Sequence, residues 1–164
     1  MHISRTKRFG IAAVTMAAVP IIAASAQPTN AVTSRADTFR LVERPGTFRY
    51  VDLPPRQTSQ QSPASVGDEF IFTSRLFRSG QRVGTVHAVC TITKRSQNPE
   101  RLPSSCVGTF DLRRGTIELA IGGVLTDTLE IAITGGTGDY AGASGTVTSR
   151  SVGRRTVDIV HLEP

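Results

Sequence analysis

Tyr50 and Asp52 are the residues whose types and spacing point most directly to chemistry. They stand two positions apart in the run F-R-Y-V-D at residues 48–52, and residues so spaced share one face of an extended strand. A phenol hydroxyl beside a carboxyl group can donate a hydrogen bond to a substrate or exchange a proton with it. We therefore predict that Tyr50 and Asp52 are the catalytic pair.

Both residues also have a structural alternative. Asp52 precedes Leu53, Pro54 and Pro55, where a short carboxylate side chain often caps a turn. Tyr50 could be a core residue whose hydroxyl is satisfied by a polar neighbour. The residue pattern leaves these alternatives open.

The two cysteines predict a disulfide rather than a catalytic thiol. Cys90 and Cys106 enclose a polar loop at residues 91–105, and an even cysteine count in an exported chain favours a bridge, worth about 3 kcal/mol in a chain-entropy account. The alternative is two buried thiols packed as small apolar residues. His87 lies on the opposite face of its strand from Cys90, so no base stands beside that thiol. Two Cys and three His are too few for a zinc cluster, and we expect no metal.

Residues 1–26 have the pattern of a secretory signal peptide. Arg5, Lys7 and Arg8 precede an apolar, uncharged run at residues 9–24, and Ala24-Ser25-Ala26 is a small-x-small cleavage site. The run is shorter than the ~20 apolar residues of a transmembrane helix, although an uncleaved anchor is the alternative. We expect a secreted mature chain, without membrane attachment, that starts with a flexible segment at residues 27–37.

The charge of the mature chain does not indicate nucleic-acid binding. The whole sequence has 19 Lys+Arg against 13 Asp+Glu, and the signal removes three of the basic residues. The arginines that remain are scattered singly or in pairs, whereas a nucleic-acid interface needs a clustered basic stripe. Aromatic residues make up 5% of the chain and Trp is absent, which argues against a stacking platform for single strands.

The mature sequence reads as a series of short strands with almost no helix. Alternating apolar runs are bounded by Gly, Pro, Asn or Ser, at residues 38–42, 47–53, 69–77, 82–93, 106–112, 116–124, 128–134, 145–151 and 154–162. The first two runs are either a hairpin or one broken strand. Short connections make consecutive strands antiparallel neighbours. Such a series is typical of an up-and-down barrel or a sandwich, and closure into a barrel removes exposed edges.

Six blocks of the sequence carry a family resemblance. They are F-R-Y-V-D (48–52), S-P (62–63), G-D-E-F-I-F (67–72), R-V-G-T-V-H (82–87), C-V-G-T-F-D-L-R-R-G-T-I (106–117) and A-I-T-G-G-T-G-D-Y-A-G-A-S-G (132–145). Together they resemble the allene oxide cyclase and dirigent barrel family over residues 38–164. The resemblance implies an all-β, eight-stranded antiparallel barrel with an apolar cavity and no cofactor.

Strand parity and the resemblance together predict the residues that line the cavity. The apolar faces supply the predicted substrate-binding residues Phe48, Phe70, Phe72, Ser74, Ile117, Leu119 and Ile121. In the family, positions matching Phe72, Ser74 and Cys90 line the pocket, and Asp52 stands where the plant cyclases have an Asn. Those cyclases carry a catalytic carboxylate where this chain has Tyr50, so we do not expect allene oxide cyclase activity itself.

Two functions are consistent with this resemblance. The first is a cofactor-free cyclase or isomerase that folds a small hydrophobic natural product, polyketide or oxylipin-like, for ring closure. The second is a non-catalytic, dirigent-like barrel that orients a substrate activated by another enzyme, and a purely structural module is a weaker third. In the first two the partner is a small hydrophobic molecule, and a homodimer or homotrimer is possible.

Overall fold

The computed structural model describes residues 37–54, 56, 64–96, 98 and 101–164. The predicted signal peptide at residues 1–26 lies outside the described residues, as does the predicted flexible segment up to residue 36. Within the described part of the chain, no helix has the length and apolar character needed to cross a membrane.

Eight antiparallel strands form a closed barrel in which each strand pairs with the next along the chain. They are β1 (Asp37–Val51), β2 (Glu69–Arg78), β3 (Gln81–Ile92), β4 (Pro103–Leu112), β5 (Gly115–Val124), β6 (Thr128–Gly136), β7 (Gly145–Val152) and β8 (Arg155–Leu162). β8 returns to pair with β1, which closes the sheet. The only helical turn among the described residues is a 3₁₀ turn at Gly138–Tyr140. The predicted all-β, eight-stranded antiparallel barrel is therefore confirmed.

The two runs predicted at the start of the barrel form one strand interrupted by a β-bulge. Pro45 pairs with Ser74 and Phe48 pairs with Phe72, so β1 contains one more residue than β2 across this step. Pro45 has no N–H to give to a ladder, which makes it compatible with such an irregularity. The extra residue changes the parity of β1. Odd-numbered residues lie on the inner face before the bulge, whereas after it the even-numbered Phe48 and Tyr50 are opposite Phe72 and Phe70 at the end of the barrel.

One end of the barrel is filled by apolar side chains. Phe39, Leu41, Leu76, Phe110, Ile117 and Val160 belong to the buried core. Tyr140 and Leu162 pack against that core, and Leu162 is the last residue of β8. An eight-stranded barrel is just wide enough to be filled in this way or to hold one small ligand.

The T-G-G-T-G run at residues 134–138 belongs to this filled end. A Cβ at Gly136 would collide with the carbonyl oxygens of Thr116 and Tyr140, and one at Gly138, where φ is +60°, would collide with the carbonyl oxygen of Arg114. Only glycine permits these close backbone approaches. This run, part of the block at residues 132–145, therefore has a structural role: its glycines allow close backbone packing at the filled end of the barrel.

The predicted disulfide is present in the barrel wall. Cys90 of β3 and Cys106 of β4 lie directly opposite each other in the ladder and are bonded. Both side chains face the interior, on the same side as the buried Val86 and Phe110.

Asp68 fastens the chain at the open end of the barrel. Its side chain is fully buried and accepts hydrogen bonds from the Tyr50 hydroxyl at 2.5 Å, the Leu53 N–H at 2.9 Å and the Ser65 N–H at 2.7 Å. These donors come from the end of β1 and from the segment that leads into β2. One carboxylate thus ties two irregular segments together.

Replacing Asp68 should therefore destabilise the barrel. Asp68→Ala leaves three donors without this acceptor in a buried place, and we expect the free energy of unfolding to fall by about 3 kcal/mol. The measurement is urea unfolding with the disulfide intact. Asp139→Ala is the matched control: it removes an exposed ion pair with Arg114 and should change stability by less than ~1 kcal/mol. Equal small effects of both substitutions would show that Asp68 does not hold this end.

Candidate functional site

The open half of the barrel holds a cavity of about 190 Å³. Its wall is mainly apolar and includes Phe72, Val86, Ala88, Phe110, Leu119 and Ile131. Residues 125–127, which connect β5 to β6, form part of its lining. An apolar cavity of ~150 Å³ is known to hold benzene, so this one has room for a small ring compound.

Three of the predicted substrate-binding residues line this cavity: Phe72, Leu119 and Ile121. Ser74 is buried on the same inner face. Ile117 is fully buried in the core at the filled end and is not among the residues of the cavity wall. The predicted residues on β2 and β5 are thus distributed between the cavity wall, the packed core and the rim, and their role in substrate binding stays a prediction.

Phe48 and Phe70 lie outside the cavity lining. Phe48 stacks on Phe70 with ring centroids 6.1 Å apart, and Tyr50 packs on Phe70 at 5.5 Å. Phe48 is 68% exposed. These rings form an aromatic rim where β1 and β2 reach the open end.

The predicted catalytic pair, Tyr50 and Asp52, does not line the cavity either. The Tyr50 hydroxyl is donated to Asp68, and Asp52 follows the last residue of β1 and is half-buried. The reason is the position of the bulge: residues 48–51 pair with the first residues of β2, at the rim. The catalytic role of Tyr50 and Asp52 stays a prediction, while the polar chemistry of the cavity comes from other residues.

Glu43 and Asp158 supply that chemistry. Glu43 lies two residues before the bulge on the inner face of β1 and lines the cavity. Asp158 lies on β8 opposite Leu41, while Thr156 is opposite Glu43. The two carboxyl groups are therefore diagonal neighbours on one inner face, a spacing of about 7–8 Å between backbones that long side chains bridge.

Asp158 is an unusually placed carboxyl group. It is 1% exposed, and neither of its oxygens has a partner at hydrogen-bond geometry within the described chain. Ser149 stands opposite it on β7, and the side chains of Ser149 and Glu43 are near enough to stabilise its charge in part. A buried carboxyl group in this condition resists ionisation.

The electrostatics of the pair favour a retained proton. Burial, and then the neighbouring Asp158 carboxyl group, raise the pKa of Glu43 from 4.5 to about 8, against a smaller opposite effect of Ser74. Burial also raises the pKa of Asp158. Because the two groups interact strongly, their titration belongs to the pair. At neutral pH the pair therefore holds a proton that it can donate to a bound molecule.

Sequence reasoning missed this pair because its signals were weak. Glu43 stands in E-R-P-G at residues 43–46, which has the composition of a turn. Asp158 had a clearer signal, since it shares strand parity with Val160 on the inner face of β8. A carboxylate on the apolar face of a strand is rare enough to mark a candidate site.

Comparison with known families and structures places these observations in context. The family profile described as "Allene oxide cyclase barrel like domain" matches residues 53–161. Among curated proteins, no sequence matches the chain.

Several solved structures share the barrel. A pyocyanin demethylase is 26% identical, with a TM-score of 0.63 over 76% of this chain and 99% of its own. AbnU, an exo-specific intermolecular Diels-Alderase, is 14% identical, with a TM-score of 0.58 over 78% of this chain and 96% of its own. The pterocarpan synthase dirigent protein GePTS1 is 17% identical, with a TM-score of 0.57 over 79% and 86% of the two chains. The last two comparisons concern the fold alone.

The raised pKa of Glu43 predicts a pH-dependent stability. A group whose pKa is raised on folding contributes stability that is present below its unfolded pKa, here 4.5, and is lost as the pH rises through about 8. Unfolding free energies of the natural protein and Glu43→Gln should therefore diverge over this range, with the natural protein losing up to ~5 kcal/mol relative to the variant at 1.36 kcal/mol per pKa unit.

Urea unfolding at a series of pH values measures this difference. Glu130→Gln, which removes a carboxyl group from an exposed position on β6, is the control and should follow the natural protein. Parallel profiles for the natural protein and Glu43→Gln would mean that Glu43 ionises freely and is not buried as described.

Proposed function

Because the chain belongs to the allene oxide cyclase barrel-like family, we propose that it is a cofactor-free cyclase or isomerase that acts on a small hydrophobic molecule held in the barrel cavity. The observation that carries this proposal is the position of Glu43, which lines a mainly apolar cavity beside the buried Asp158 and whose raised pKa favours a retained proton. A cavity filled by side chains would have argued against any ligand, whereas this one has a volume of about 190 Å³.

Confinement provides the first contribution to catalysis. Apolar side chains on β2, β3, β4, β5 and β6 surround the space, and a molecule inside gives up most of its conformational freedom. Holding reacting ends together in this way is worth up to ~7–11 kcal/mol of the barrier. A ring closure or a double-bond shift needs, besides this confinement, one proton donor positioned beside the reacting atoms.

The carboxyl pair provides the second contribution. The Glu43 carboxyl group donates its proton to an oxygen or carbon of the substrate, and the charge it leaves is shared with Asp158. The same pair then takes back a proton released elsewhere on the substrate, so the isomerisation leaves the protein unchanged. A catalytic group whose pKa lies near the working pH suits both steps.

A second candidate function follows from the likeness to pyocyanin demethylase, at 26% identity over nearly the whole of that protein. In this case the cavity would bind pyocyanin or a related compound, and its methyl group would be transferred to water and leave as methanol, with the demethylated ring as the second product. Incubation of the purified protein with pyocyanin, with the product mass as readout, tests it. Methyl loss no faster than in a protein-free control would exclude this candidate.

Glu43→Gln should slow proton transfer on a simple probe. Cyclohex-3-en-1-one is a small neutral ring whose conversion to the conjugated ketone moves one proton, and its absorbance reports the product. We expect the natural protein to accelerate this conversion and Glu43→Gln to be slower by about 100-fold, the usual contribution of a general acid or base. Glu130→Gln should retain the natural rate.

The location of the reaction is tested by filling the cavity. Ala88→Phe introduces a ring into the cavity wall, whereas Ala132→Phe places the same ring on an exposed position of β6. Only Ala88→Phe should suppress turnover. Equal rates for the natural protein, Glu43→Gln and Ala88→Phe would refute the proposed function.

A further inference from the structure

The cavity carries acidic groups that no basic side chain balances. Glu43 and Asp127 belong to its lining, and the buried Asp158 is the diagonal neighbour of Glu43 on β8. The lining residues that the structure describes include no Lys, Arg or His. A bound molecule therefore meets carboxyl groups but no cationic side chain.

This lack of cationic side chains determines which ligands are acceptable. A carboxylate inside the cavity would lose its hydration and find no cation in the wall, and both effects oppose its binding. An amine or a ring nitrogen would instead meet acceptors. The buried Asp158 oxygens have no partner at hydrogen-bond geometry among the described residues, and the Glu43 carboxyl group lines the cavity.

We propose that the natural ligand is a small apolar ring compound that carries a basic nitrogen, which is held by Glu43 and Asp158, and that the cavity excludes carboxylates. This inference rests on the proposed function, since it concerns the same cavity and the same pair. It narrows the substrate class: a short oxylipin-like acid would have to leave its carboxylate outside, while a nitrogen base is held at the pair.

The proton of the pair makes the interaction adaptable. A neutral amine accepts it and binds as an ammonium beside a carboxylate, and an amine that is already charged binds to the ionised pair. In both complexes an N–H group of the ligand faces a carboxylate oxygen, and charge-assisted hydrogen bonds of this kind are about twice as strong as neutral ones.

A pocket at the filled end of the barrel shows the opposite character. Its volume is about 160 Å³, and Arg78, Arg113, Arg114 and Tyr140 are among its lining residues. An anionic compound could therefore bind in this arginine-lined pocket rather than in the cavity. Binding experiments must therefore separate cavity binding, which Ala88→Phe blocks, from binding elsewhere.

Three naphthalenes that differ in one group test the inference: 2-naphthylmethylamine, 2-naphthalenemethanol and 2-naphthoic acid. Isothermal titration at neutral pH should show cavity binding of the amine at least about tenfold tighter than that of the alcohol, as a charge-assisted hydrogen bond predicts. The acid should show no binding that Ala88→Phe removes.

The double variant Glu43→Gln/Asp158→Asn identifies the cause. It replaces both carboxyl groups by amides of the same shape, and the affinities for amine and alcohol should then agree within about threefold. Retained binding of the alcohol shows that the variant is folded and its cavity intact. Glu130→Gln, with an exposed carboxyl group removed, should keep the full preference.

The possible failures are distinguishable. If the alcohol binds in the cavity but the amine is not preferred, or if the acid binds there equally well, the nitrogen-base inference is wrong and the proposed function stands. A preference that survives in the double variant also overturns the inference. If none of the three compounds gives binding that Ala88→Phe removes, both the inference and the proposed function fail.

Discussion

The bulge in β1 determines which side chains this barrel turns toward its interior. One extra residue between Pro45 and Phe48 shifts the pairing with β2, and a shift of one residue moves every later side chain to the other face. Without it, a strand with Phe48 opposite Phe72 would place Glu43 on the outer face. The bulge allows the aromatic rim and the interior carboxyl group to share one strand, and the chemistry of the cavity depends on this arrangement.

Two buried carboxyl groups, those of Asp68 and Asp158, have different roles. Asp68 is buried and fully engaged, since it accepts from Tyr50, Leu53 and Ser65, and it fastens the rim. Asp158 is equally buried, yet neither oxygen has a partner at hydrogen-bond geometry within the described residues. A buried carboxylate whose oxygens accept hydrogen bonds stabilises the fold. A buried carboxyl group without such partners favours binding a proton or a ligand. The proposed function uses this contrast.

The sequence was sufficient to predict most of the scaffold. Strand alternation and short connections gave the antiparallel order, and the cysteines opposite each other on β3 and β4 matched the predicted bridge. The site was harder, because strand parity predicts a face only while the register is regular. The predicted inner face was counted from Phe48 in steps of two residues, which selected Tyr50 and Asp52. Both follow the bulge, whereas Glu43 precedes it. A bulge depends on pairing with the neighbouring strand, and a single strand's residue pattern does not reveal it.

The retained proton of the Glu43–Asp158 pair is the central claim, and infrared spectroscopy tests it most directly. A protonated carboxyl group absorbs at a C=O frequency distinct from those of carboxylates and amides. At neutral pH, where exposed acidic side chains are ionised, the natural protein should show absorption by a protonated carboxyl group, which the double variant Glu43→Gln/Asp158→Asn removes and Glu130→Gln preserves. A spectrum of the natural protein without a protonated-carboxyl band at neutral pH would contradict this account.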